Sequence, residues 1–382
     1  MTKAIIAGGG IGGLTAAVAL RRAGAEVAVF ERAPELEEIG AGITLWANAT
    51  RPLKRLGVYD EVRSSGAGEI GGELRSWGGE VILEIPADAL RSRFGEANLA
   101  VHRADLQGAL LAALPEGTVR LGRELVGFSQ NGREVVARFA DGHQERGDLL
   151  VGADGIHSSV RAQLFGLRPP RYAGYTAWRG VADAGEGGLP EGVGLNLWGR
   201  GSEFGLVGLG RGRFYWFATK NAPEGEAESA VGRRREVLYL LLASWYQPAR
   251  AAVEATADSK ILRNDIYDRE PLRDWGVGRV TLLGDAAHPM TPNLGQGACQ
   301  AIEDAVVLAA CVREEGDIAA ALRLYEERRK ERTAMIARRS RILGRAGQLE
   351  NLLLCSLRNA AVRMMPLPVQ LRQLDSILGY EV

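Results

Sequence analysis

The sequence predicts an α/β chain: a Rossmann-like dinucleotide-binding domain interleaved with a β-sheet domain and followed by C-terminal helices. Three observations predict it. The first 31 residues read as strand, glycine-rich turn, helix and a second strand closed by an acid. Two later buried strand runs, 149–151 and 280–283, each lead into a Gly/Asp motif. Between them, from about 169 to 266, lie short alternating, aromatic-rich strands, a pattern that needs a second sheet to bury it.

The elements follow in order. Residues 4–7 are an apolar run, and Gly8, Gly10 and Gly13 fit G-x-G-x-x-G in the turn behind it. Residues 14–22 are helix-prone, Gly24 can end that helix, and 26–30 alternate into a strand that stops at Glu31, with Arg32 beside it. The first glycine permits a tight turn, the second admits a pyrophosphate close to the backbone, and the third lets helix and strand pack. The helix start offers free N–H groups and the positive end of its dipole to phosphate. Glu31 can accept hydrogen bonds from ribose hydroxyls, and its charge repels a 2′-phosphate.

Further along, 48–56 starts a helix and the glycine-dense 66–79 reads as turns between short strands. A second G-x-G-x-x-G at Gly66, Gly68 and Gly71 has no strand before it and no helix after it, so it is dismissed. An amphipathic helix is expected over 103–114 with Asp105 as its cap. Strands are expected at 119–121, 125–129 and 135–139, then a turn at Asp141-Gly142. Helices are expected near 233–244, over 296–314 and over the arginine-rich 318–354. The segment 352–374 alternates apolar residues with Arg358, Arg363 and Arg372. It suits a membrane surface or a partner subunit, and packing back onto the first domain is the expectation.

Composition sets bounds. The 382 residues are 46% hydrophobic and 25% charged with zero net charge, which removes the basic field that nucleic acid would need. Cys299, Cys311 and Cys355 have neither disulfide nor ligand spacing, and His102, His143, His157 and His288 are scattered, so no metal is expected. The opening apolar run is too short for a signal peptide and no stretch spans a bilayer, so the cytoplasm is the expected compartment.

Gly152-Ala153-Asp154-Gly155, Gly284-Asp285 and the run Pro292-Asn293-Leu294-Gly295-Gln296-Gly297-Ala298, taken with the first loop and Arg103, make a specific set. In this order they resemble the single-component (class A) flavin-dependent aromatic hydroxylases of the p-hydroxybenzoate-hydroxylase-like class, nearest the salicylate-hydroxylase-like, zeaxanthin-epoxidase-like and urate-hydroxylase-like members. The resemblance implies a glutathione-reductase-type FAD domain made of 1–70, 98–168 and 270–345. A substrate-binding sheet domain would comprise 71–97 and 169–269, and a helical tail 346–382. It assigns the ADP half of FAD to Gly8, Gly10, Gly13 and Glu31 with Arg32, and the pyrophosphate and ribityl region to Arg103 and Gln107. Asp154 would serve FAD and pyridine-nucleotide handling, and Asp285 the ribityl hydroxyls. Pro292, Gly295, Gly297 and Ala298 would meet the flavin's pyrimidine edge. NADH or NADPH would reduce FAD transiently and leave, and a flavin C4a-hydroperoxide would pass one oxygen atom of O2 to substrate, so no triad is required.

The resemblance further implies an aromatic, heteroaromatic or polycyclic substrate between the flavin loops and the aromatic segment. The candidate pocket residues are Trp46, Tyr175, Arg179, Leu197, Glu203, Tyr215, Phe217 and Pro292. Arg179, Tyr215 and His288 are the candidates for direct chemistry, although His288 suits packing better. Glu203 falls near where urate-hydroxylase-like members place a substrate-binding arginine, which counts against urate. An epoxidase, alkene reductase or amine oxidase, or a flavoprotein that only sequesters a ligand, stays open, as does monomer against homodimer.

Overall fold

The computed structural model describes residues 1–36, 41–68, 70–96, 98–183, 192–226 and 232–381. At its centre is a five-stranded parallel sheet in the order Val280–Leu282, Leu149–Gly152, Lys3–Ala7, Glu26–Phe30, Val119–Arg120. Its strands are near-continuous apolar runs because helices cover them. The helix Ile11–Arg22 packs against the helix Gly297–Glu314, and together they bury one side of the sheet. Register places Ala7, Phe30, Gly152 and Leu282 level with one another. All three motif loops therefore leave the sheet at its carboxyl edge, where ligands bind in open α/β sheets.

A second, seven-stranded sheet runs Leu262–Asp268, Arg171–Asp183, Arg213–Asn221, Ser202–Gly210, Val193–Trp198, Gly71–Ser76, Val81–Ile85. Its outer face carries Trp178, Leu195, Leu197, Phe204, Leu206 and Trp216, which bury under the helices Arg234–Leu241 and Gln247–Glu254. The pleat sends the alternate residues Arg179, Glu203, Val207, Tyr215 and Phe217 to the opposite face.

Several local expectations shift. Asp105 is not the cap of Arg103–Ala112: the His102 ring accepts the Ala104 N–H, while Asp105 pairs with Arg213 at 2.6 Å and ties the helix to the second sheet. The long C-terminal helix spans Ile318–Gly347 and stops there. A new helix, Leu352–Arg363, starts at Asn351, whose side chain accepts from the Leu353 and Leu354 N–H groups. The last helix, Leu367–Leu378, packs back as expected and buries Leu371, Ile377 and Leu378 against Ala47, Leu90 and Phe94. Among the described residues no helix is long and apolar enough to cross a membrane.

One buried polar network joins these parts. Glu303 and Asp304 sit in the apolar helix Gly297–Glu314 with no exposure, facing Arg329, which is also fully buried. Arg329 donates to Asp304 Oδ1 (2.7 Å), Glu303 Oε2 (2.5 Å) and Gln300 Oε1 (2.7 Å). Arg332 grips Glu303 at 2.7 and 2.8 Å, and Asn48 donates to Glu303 Oε1 at 2.5 Å. Burial alone would raise the Asp304 carboxyl, but the facing His288 ring and Arg329 guanidinium outweigh it and hold it down to about 2. Asp304 therefore stabilises the fold above its unfolded value of about 4 and loses that contribution as pH falls towards 2.

Removing Arg329 takes the shared cation from two buried carboxylates, leaving Asp304 to His288 and the Gly284 N–H and Glu303 to Arg332 and Asn48. Arg329→Met should cost about 3–5 kcal/mol in urea unfolding at pH 7; a midpoint equal to wild type contradicts this account of the network.

Candidate active site

The first loop is built by close backbone approach. Gly8 takes φ +109°, and a Cβ there would lie 2.3 Å from the Ala153 carbonyl oxygen; one on Gly13 would lie 1.9 Å from the Gly8 oxygen. The loop is stitched to its neighbours by Gly8 N–H donating to the Phe30 carbonyl and Ala153 N–H to the Ala7 carbonyl, both 2.8 Å. Gly10 precedes the helix and faces open space. The first turn of that helix carries no acid, and no side chain caps it, so its amides are available to an anion.

Glu31 accepts from the Gly9 N–H at 2.6 Å and the Ala33 N–H at 2.9 Å, which fixes its carboxylate beside the loop. Arg32 is exposed. Gln107 donates to the Gly9 carbonyl at 2.9 Å, so its amide braces the loop. Asp154 spends Oδ2 on the Ser159 N–H and hydroxyl, at 2.8 and 2.9 Å, holding the start of Ser159–Phe165; its buried Oδ1 has no protein partner.

Asp285 joins the loops electrostatically. More than a third of its surface is open to solvent, yet desolvation raises its carboxyl against the opposing influence of His288 and Arg103. Both hold for a side chain on the wall of a deep cleft. Burial lowers the Arg103 guanidinium, Asp285 and Glu31 raise it, and Arg179 lowers it, so four predicted site residues share one field. The Pro292–Leu294 turn ends at Gly295 (φ +60°), where a Cβ would lie 3.3 Å from the Trp46 indole nitrogen. Gly297 and Ala298 open the next helix, with no acid in its first turn and no side-chain cap. Buried polar atoms without a protein partner gather around these loops: Trp46 Nε1, Gln296 Nε2, Asp154 Oδ1 and Arg179 Nε.

These features fit FAD. A backbone cradle without side chains suits a pyrophosphate, an acceptor-only carboxylate suits a polyol, and uncapped amides suit the electron-rich edge of a flavin.

On the second sheet, Tyr215 and Phe217 are half-buried with ring centroids 6.4 Å apart. Burial pushes the Tyr215 hydroxyl up to about 12, against Arg179. Arg179 donates to Asn264 Oδ1 at 2.7 Å. Tyr175 is buried and its hydroxyl donates to Asn293 Oδ1 at 2.9 Å, linking the sheet to the Pro292 turn. A cavity of about 510 Å³ opens beside it, lined by Tyr175, Thr291, Arg341, Gly344 and Gln348.

Three expected residues lie elsewhere. Leu197 is a correction: it is fully buried in the outer core with Phe204 and Trp216, because the strand's register turns it away from the cleft. Glu203 is on the correct face but sealed, 5% exposed, against Gly347 and Gln348. His288 is 3% exposed, with Nε2 2.6 Å from Asp304 and its ring 5.1 Å from Trp275, a placement that suits packing rather than proton transfer. Asn48, Gln296, Glu303 and Arg329, which hold the loop from behind, were not anticipated; two acids inside the run Ala301–Ala310 were the available signal.

The family model described as FAD binding domain matches residues 1–340. The chain is 45% identical over 361 residues to aurachin C monooxygenase/isomerase of Stigmatella aurantiaca, covering 94% of each. It is 37% identical over 346 residues to the FAD-dependent urate hydroxylase of Klebsiella pneumoniae, covering 89% of this chain and 88% of that one. The crystal structure of Klebsiella pneumoniae HpxO complexed with FAD and uric acid superposes with a TM-score of 0.91 at 33% identity, covering 99% of this chain and 96% of the other. With its three strand-end loops converging on one cleft, the chain belongs to the FAD-binding-domain family and is an FAD-dependent monooxygenase.

Proposed function

We propose that the chain hydroxylates an aromatic, heteroaromatic or polycyclic small molecule with NAD(P)H and O2. The observation that carries this reading is the meeting of two surfaces. Arg179, on the inner face of the seven-stranded sheet with Tyr215 and Phe217, acts on both Tyr215 and Arg103, Arg103 also feels Asp285, and Tyr175 of the same sheet donates to Asn293 in the Pro292 turn.

The domain reading supports it. All strands of the parallel sheet fall within 1–70, 98–168 and 270–345, and all seven of the second sheet within 71–97 and 169–269. We assign FAD to the first set and substrate to the second. Gly8, Gly10, Gly13 and Glu31 would hold the ADP half, Arg103 the pyrophosphate, Asp285 the ribityl chain, and Gly295, Gly297 and Ala298 the pyrimidine edge. When bound and reduced by NAD(P)H, FAD supplies activation of O2 and transfer of one oxygen atom.

The chain's own residues position the substrate and exclude water. Phe217 lies over Gly205, where a Cβ would be 2.0 Å from its ring, so the ring is locked flat against the sheet as an apolar wall. Tyr215 packs on Gly42 in the same way. Arg179 offers a donor to an oxygen substituent and favours the ionised form of a phenol, which makes the ring a better nucleophile towards electrophilic oxygen. Glu203 stands, sealed, near where a substrate-binding arginine is expected in urate-hydroxylase-like members, so this end of the sheet lacks that cation, which counts against urate.

The test is a panel of aromatic and heteroaromatic compounds scored by stimulated NAD(P)H oxidation under labelled O2. We expect at least one compound to accelerate oxidation and gain one labelled oxygen atom. Oxidation indifferent to every compound, with no labelled product, contradicts the reading.

Glu203 gives a separate prediction. Burial raises its carboxyl to about 7, against Arg358 and Gln348. Between its unfolded value near 4.3 and that point, the folded chain keeps a proton that the unfolded chain releases, so this group lowers stability as pH rises. Glu203→Gln should be near neutral at pH 5 and stabilise by about 1–3 kcal/mol at pH 8; equal effects at both pH values contradict the assignment.

A further inference from the structure

The loop assigned to the flavin ring is backed by a segment from late in the chain. The helix Leu367–Leu378 buries Leu371, Ile377 and Leu378 in a small apolar cluster that also takes Trp46 and, from the Pro292 turn, Leu294. Just past that helix the ring of Tyr380 covers two guanidinium groups. The central carbon of Arg332 lies 4.1 Å from the ring centroid, and that of Arg329 lies 5.5 Å away. Arg332 also donates to the Ser376 and Ile377 carbonyls at 2.6 and 2.7 Å. Arg51, in the helix Ala47–Arg55, donates to the Tyr380 and Leu378 carbonyls at 2.9 and 3.2 Å.

These contacts reach the cleft by two short routes. Arg329 and Arg332 both donate to Glu303, whose Oε1 accepts from Asn48, and the same Asn48 nitrogen donates to Gln296 Oε1 at 2.9 Å. Gln296 immediately precedes Gly297. Arg51 sits one helical turn after Asn48, in the helix that begins behind Trp46. The Arg332 side chain is only 9% exposed, and the Tyr380 ring is part of what covers it. An aromatic face attracts a guanidinium most strongly where water is excluded, and an ion pair screened less by water holds its geometry better. The ring therefore acts on the arginines at the point where they hold the loop.

We propose that Tyr380 is a positioning residue for the flavin ring: by covering Arg332 and Arg329 it fixes Glu303 and, through Asn48 and Gln296, the amides of Gly297 and Ala298. This rests on the assignment of residues 295–298 to the pyrimidine edge of FAD. Amides aimed at that edge favour the negative charge of reduced flavin. Loosening them weakens binding of the reduced form relative to the oxidised one.

The test is the midpoint potential of bound FAD, measured by dye equilibration with FAD in excess, in the full-length wild type, Tyr380→Leu and Tyr380→Phe. Gly297→Val serves as a control on the site itself. Tyr380→Leu should fold and hold reduced flavin about fivefold less tightly relative to oxidised flavin, a fall of about 20 mV. Tyr380→Phe keeps the aromatic face and should restore the wild-type potential. A Cβ on Gly297 meets only Asp285 Oδ1, at 4.0 Å, so Gly297→Val has room in the protein. It should shift the potential or block FAD loading if the ring lies there. An unchanged potential in Tyr380→Leu, with Gly297→Val altered, overturns the positioning role alone. An unchanged Gly297→Val overturns the site assignment beneath it. Tyr380→Phe displaced as far as Tyr380→Leu overturns the role too, and so does a Tyr380→Leu chain that cannot fold, since the ring would then hold the fold and not the loop.

Discussion

The Gly8 and Gly13 backbones touch their surroundings so closely that no side chain fits: the Ala153 carbonyl lies against one and the Gly8 carbonyl against the other. That contact draws the first and second motif loops together across two adjacent parallel strands, Lys3–Ala7 and Leu149–Gly152. The third loop joins them because Leu283 continues the same ladder, its N–H donating to the Gly152 carbonyl at 2.9 Å. That the three loops meet at one edge then follows from sheet geometry. Nothing in the loops has to supply chemistry; they supply shape and free amides, with carboxylates at three strand ends, Glu31, Asp154 and Asp285.

Around that cleft the molecule separates two tasks. Rigidity behind the flavin loops comes from the buried Glu303–Asp304–Arg329 network, an arrangement that gains little net stability but fixes which groups face which. Asn48 and Gln296 extend it to the segments that carry Trp46 and Gly297, so the end of the cleft that we assign to the flavin ring is braced from the core. The side we assign to substrate is instead an apolar wall, with Tyr215 and Phe217 seated on Gly42 and Gly205. Its polar element, Arg179, belongs to both sides, which is why its field reaches Tyr215 and Arg103 alike.

Much of this was legible in the residues. Strand-and-glycine motifs are short-range: Gly8 to Glu31, Asp154 and Asp285 are each placed by the strand that precedes them, so reading the strand locates the residue. Leu197 was not legible, because alternation says which residues share a face but not which face meets the cleft; one sheet side packs on Leu238 and Val253, and only the tertiary fold reveals it. Asp105 was misread for a related reason, since its partner Arg213 lies 108 residues away. The break before Asn351 was hidden by a continuous helical pattern that Gly347 and the Asn351 cap interrupt. The helix that follows could not be oriented without knowing that Arg358 stacks on Trp198.

The account rests on the close approach at the first loop making the FAD cradle. Its most direct test is the flavin released on denaturing purified wild type and Gly13→Ala, each checked for native circular dichroism. The account predicts equimolar FAD in the wild type and almost none in the variant, because a methyl group there would meet the Gly8 carbonyl oxygen at 1.9 Å. Full flavin occupancy in a folded Gly13→Ala chain, or a wild type that takes up no FAD, would contradict it.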